Sequence, residues 1–103
     1  MIVRLDDSAR DDVREATAWY AARDPSAARR FVSAVDVAIS RIAESPSGLP
    51  PLETWAGDAT IRRLVLRPFP YVIVFEEFPD EVVVWCVTHT SRRPHHWQHR
   101  RHT

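Results

Sequence analysis

Two apolar runs divided by a two-residue corner constrain this chain more than any other feature. Pro70–Phe78 (PYVIVFEEF) and Glu81–Thr88 (EVVVWCVT) consist mostly of valine, isoleucine and aromatics, with Pro79-Asp80 between them. β-Branched and aromatic side chains fit a pleated, half-buried surface, and Pro-Asp is turn chemistry. The runs therefore predict two antiparallel strands. An arginine-bearing strand, Ile61–Arg67, precedes them, so the expected unit is a three-strand antiparallel meander. A knot of His, Arg and Trp follows, which predicts a cationic patch at the exit of the meander.

The helices come first in the chain. Ile2–Leu5 reads as a short first strand. Asp6, Asp7 and Ser8 are N-cap candidates, and Asp11 and Asp12 suit the positive end of a helix dipole. Ala9, Val13, Ala16 and Tyr20 recur at helical spacing with Trp19 beside them, so a first helix is expected from about Ser8 to Arg23. Asp24-Pro25 is a helix-start signature. Ala28, Phe31, Val35, Ala38 and Ile42 form one stripe of a second helix, which Pro46 ends. With almost no loop between them, the helices should form an antiparallel hairpin. Ser45–Thr60 holds three prolines and two glycines and reads as a long irregular connection, with Leu49, Leu52 and Trp55 tucked onto the core.

Alternation then places side chains. Leu64 and Leu66 share one face with Arg62, while Arg63 and Arg67 share the other with Ile61 and Val65. Phe69, Tyr71, Ile73 and Phe75 form one face of the next strand, the larger set, expected to meet the helices. Val83, Trp85, Val87 and His89 alternate with Val82, Val84, Cys86 and Thr88. Both sets are apolar, as in a strand covered on both sides. On this reading Arg63 and Arg67 point to an open sheet face, and the His–Arg segment reaches its rim.

One hundred and three residues make one domain, 1–103, large enough for a single core. Net charge is zero, but ten of fourteen acids lie in residues 1–58, and seven arginines against four acids lie in 59–103. The C-terminal half thus carries a local positive field. Every cation is Arg, which a GC-rich genome alone would produce and which also suits bidentate phosphate contact. Lone Cys86 has no internal disulfide partner and reads as a buried thiol. The N-terminus has no apolar signal core, and no apolar run approaches ~20 residues; a cytoplasmic location is expected.

The chain is similar to the RelE/ParE superfamily of bacterial type II toxins. The resemblance rests on Trp19-Tyr20, Pro25, Arg30-Phe31 and Pro46 in the helical pair. It continues through Ile61-Arg62-Arg63, Phe69-Pro70-Tyr71 and Asp80-Glu81-Val82, and ends with His89, Arg92-Arg93-Pro94, Trp97 and Arg100. It implies an α+β, βααβββ fold: an N-terminal helical hairpin packed on a twisted antiparallel sheet. It also implies a growth-inhibiting toxin of the plasmid-stabilisation type, neutralised by a cognate antitoxin in a hetero-oligomer. RelE-like members cleave mRNA on the ribosome with cationic and tyrosine side chains and no metal. ParE-like members poison DNA gyrase and lack that set. RelE-type ribonucleases carry a cation just after the strand tyrosine, where this chain has Val72. Arg63 matches a basic position on the preceding strand, and Arg92 a catalytic-type cation after the last strand.

Cleavage of RNA needs a base, a phosphate clamp and an acid. The candidate catalytic set is Arg63, His89 and Arg92, with Arg67, Arg93, His96 and Trp97 as candidate target or phosphate contacts. The alternatives are structural: His89 capping backbone, Arg92 and Arg93 pairing with acids, Trp97 packed as a lid. His95, His96, His99 and His102 lie in a tail without Cys or carboxylate to complete a metal site, so neither metal nor cofactor is expected. The leading expectation is a ParE-like action on gyrase. A RelE-like ribosome-dependent endoribonuclease and an inactive toxin-fold binding module are the alternatives.

Overall fold

Helix starts and strand pairing trace to local chemistry in a computed structural model of the chain, which describes residues 1–52, 61–91 and 100. Strand β1 is Val3–Leu5. Asp6 caps helix α1 (Asp7–Ala21), its carboxylate accepting from the Ser8 N–H at 3.1 Å. Asp24 caps α2 (Pro25–Glu44) in the same way, accepting from the Ser26 N–H at 3.0 Å. Pro25 sits in the first turn, where its missing N–H would have had no helical partner. Strands β2 (Ile61–Val65), β3 (Tyr71–Glu77) and β4 (Val82–His89) complete the order.

The sheet runs β1-β4-β3-β2. β2 with β3 and β3 with β4 are antiparallel, which is the expected meander. β1 instead lies parallel to β4, with Val3 opposite Val82 and Leu5 opposite Val84. The sheet is therefore mixed, correcting the wholly antiparallel expectation. No tight turn joins β1 to β4; the helical hairpin and two strands intervene, so the geometry that forces antiparallel neighbours is absent.

One core lies between helices and sheet. Ala9, Phe31, Ile42, Ile73, Phe75 and Val84 are sealed there, with Tyr20, Phe69 and Tyr71 packed on them. The α2 stripe predicted from spacing is buried in full. β2 is shorter than expected. It ends at Val65, and Arg67 falls in the turn that follows, beside Pro68, which has no N–H to offer a ladder.

β4 departs from strict alternation. Val74 pairs with Cys86 and Phe75 with Val84, so Trp85 is the extra residue of a β-bulge. The bulge resets the faces. Val82, Val84 and Val87 all join the helix-side core, while Val83, Trp85 and Cys86 join the opposite cluster. The strict pattern had grouped Val87 with Val83 and Trp85.

The face away from the helices is not bare. Ile61, Val74, Val83, Trp85 and Cys86 form a second buried cluster, with Leu52 and Phe78 packed against it. Within this layer the Trp85 indole N–H donates to the buried Glu76 carboxylate at 3.0 Å. This corrects the open-face expectation. The apolar character of both faces of β4 has its cause here: each face is covered.

Candidate functional site

β1 runs beside only the first half of β4. Asp6 N–H donates to Val84 O at 3.0 Å, and there α1 takes over the edge. The bulge falls at this point, leaving backbone groups of β4 turned towards α1. Asp12, one turn into α1, accepts from the Val87 N–H at 3.0 Å. Arg100 donates to Asp12 Oδ2 at 2.8 Å and to the Trp85 carbonyl at 3.0 Å. The two side chains are only 11% and 13% exposed. Burial works against the Arg100 charge, but the hydrogen bond and charge of Asp12 more than offset it, so its pKa lies above the ordinary arginine value. A carboxylate and a guanidinium thus complete a stretch of edge that no strand covers among the described residues. Sequence reading assigned Asp12 to the helix dipole. A partnership 88 residues apart leaves no signal in local spacing.

Above this pair a cleft of about 420 Å³ opens between α1 and the ends of β3 and β4. Glu15, Trp19, Tyr20, Tyr71 and His89 line it. Trp19 is 52% exposed, and the Arg23 guanidinium lies 3.8 Å over its ring. Tyr20 sits among Phe31, Phe69 and Tyr71, with ring centroids 5.3–6.3 Å away. Burial, and then the nearby Tyr71, push the Tyr20 pKa up.

His89 closes β4 opposite Tyr71, with ring centroids 5.4 Å apart. Its Nδ1 accepts from the Ser91 N–H at 3.1 Å and lies 2.8 Å from the Ser91 hydroxyl. This is the local backbone-capping contact weighed as its structural role. Arg63 sits opposite Val74, on the side of the second cluster. The sheet therefore separates His89 from Arg63. Arg67 occupies a third place, on a groove of about 320 Å³ between α2 and β2, with Arg30 and Arg41. Of the seven predicted site residues, these three are not brought together. Arg92, Arg93, His96 and Trp97 lie outside the described residues, as does Trp55. Among the described residues no cluster of His, Cys, Asp or Glu has metal-holding geometry, and no helix is long and apolar enough to cross a membrane.

The family described as "ParE toxin of type II toxin-antitoxin system, parDE" matches residues 3–94. The fold matches a solved structure of the chromosomal ParDE TA system from P. aeruginosa with a TM-score of 0.74. That match has 15% sequence identity and covers 86% of this chain and 95% of the other. No curated sequence matches the chain. The family match runs from β1 through the end of the meander and past it, so this chain belongs to the ParE toxin family of type II toxin–antitoxin systems.

Proposed function

We infer that the chain arrests growth by binding DNA gyrase and is held silent by a cognate antitoxin. The observation that carries this reading is the separation of Arg63 from His89 by the sheet. In-line RNA cleavage needs base, phosphate clamp and acid within hydrogen-bond reach of one phosphate. Val72, where a RelE-type ribonuclease holds a cation, is paired in the ladder with Val65 and Thr88. Buried apolar packing on the second sheet face also favours a protein-binding toxin over one that lays RNA across that face. Arg92, Arg93, His96 and Trp97 are the proposed target contacts, where guanidinium and indole groups suit an anionic or aromatic-lined partner.

Induction in a host without antitoxin tests this. The expected outcome is growth arrest with a DNA-damage response, with RNA intact at the onset. Arg63→Ala and His89→Ala should stay toxic, and Arg92→Ala/Arg93→Ala should lose potency by about tenfold or more. Ribosome-dependent mRNA cuts that vanish with Arg63→Ala or His89→Ala would establish the ribonuclease alternative instead.

A further inference from the structure

We propose that the cleft between α1 and the ends of β3 and β4 binds a small, water-soluble alkylated ammonium compound. Its cationic head lies against the rings of Trp19, Tyr20 and Tyr71, with the Glu15 carboxylate as countercharge. Neither gyrase nor the antitoxin enters this assignment.

Glu15 and Trp19 lie four residues apart on α1, so both side chains reach the same face of the helix. That face fronts the ends of β3 and β4, where Tyr71 and His89 stand opposite each other. Four rings follow one another around the cleft. Trp19 and Tyr20 are 5.2 Å apart and nearly perpendicular at 89°. Tyr20 and Tyr71 are 6.3 Å apart at 58°, and Tyr71 and His89 are 5.4 Å apart at 76°. Steep angles between neighbours make a corner of aromatic walls instead of a closed stack. At about 420 Å³ the space takes a small organic molecule.

Among the described residues the cleft carries one uncompensated charge, and it is negative. Asp12 is matched by Arg100 at 2.8 Å. Glu15 makes no ion pair among the described residues, and no arginine among them lines the cleft. His89 Nδ1 accepts from the Ser91 N–H, which only an uncharged imidazole can do. The Trp19 ring already holds a cation: the Arg23 guanidinium lies 3.8 Å from its centroid, although Arg23 is not part of the cleft wall. A primary ammonium is a strongly hydrated point charge and needs an acceptor for each of three N–H groups, which ring faces do not supply. An alkylated ammonium sheds its water more readily, and its methyl groups carry the charge directly onto aromatic walls. A neutral apolar compound would gain nothing from Glu15.

The test titrates the full chain with choline chloride in a calorimeter at constant ionic strength. A parallel titration uses the dimethylbutanol that replaces the choline nitrogen by carbon and so has its shape without its charge. Choline should bind with a Kd of about 1 mM or tighter, and the uncharged isostere about tenfold or more weaker. Glu15→Gln and Trp19→Ala, both at exposed positions, should each weaken choline binding by about tenfold. Arg41→Gln on α2, away from the cleft, should not. No choline binding, equal binding of the isostere, or unchanged affinity in either cleft variant with wild-type circular dichroism overturns the assignment. So does tighter binding of spermidine, which would make the ligand a primary polyamine. Co-sedimentation with phosphatidylcholine vesicles without binding of free choline overturns it too, since a lipid headgroup would then be the occupant.

Discussion

Asp12 shows how one residue ties the fold's two ends together. Its carboxylate serves Val87 N–H and Arg100 at once, deep enough that water is largely excluded. Removing it leaves a buried guanidinium without its countercharge and the Val87 N–H without its acceptor. Asp12→Ala should therefore lower unfolding free energy by about 3 kcal/mol, well above the ~0.5 kcal/mol of a surface pair. Urea unfolding measures this. The Asp12→Ala/Arg100→Met double variant should lose less than the sum of the singles, because the stranded charge is gone. Tyr20 makes a prediction about pH. The folded chain holds its proton more tightly than the unfolded chain, whose tyrosine titrates near 10.0. Its contribution is complete below that pH and is lost as pH rises through the folded value. Stability should fall above pH 10, and Tyr20→Phe should flatten that part of the profile in a thermal-melt series.

At the scale of elements, sequence and structure agree wherever a local rule decides. The stripe Ala28, Phe31, Val35, Ala38, Ile42 needed only the helical period, and Asp24-Pro25 only capping chemistry. The face formed by Tyr71, Ile73 and Phe75 needed only the period of two and packs on the helices as expected, whereas Phe69 reaches the same core from the turn before β3 rather than from the strand. The bulge at Trp85 was not legible, because a strand apolar on both faces carries no mark of where the period slips. For the same reason His89 was placed on the rim of an open face, and its true side, against Tyr71 and α1, depends on that slip. The bulge also positions the Trp85 indole on Glu76. Trp85→Phe should cost about 2 kcal/mol by leaving a buried carboxylate oxygen short of a donor. Trp19→Phe, at a half-exposed position, should stay within ~0.5 kcal/mol. Parallel denaturation curves of the two variants test the contrast.

At the scale of the molecule, a helical hairpin covers one face of a mixed four-strand sheet, and a second apolar layer covers the other. A doubly covered sheet leaves its action to rims and edges: the aromatic cleft beside α1, the arginine groove beside α2, and the segment that follows β4. Family membership was legible from the order of short motifs along the chain, since such order survives where overall identity is low. The target was not, because it depends on whether cationic and acid–base groups converge, and convergence is a property of the folded chain. The most direct measurement adds the purified chain to DNA gyrase, ATP and relaxed plasmid, with and without its antitoxin. Gyrase binding predicts lost supercoiling and gyrase-held DNA breaks, both reversed by antitoxin. Unimpaired supercoiling, alongside mRNA cut on ribosomes by the same preparation, would contradict it.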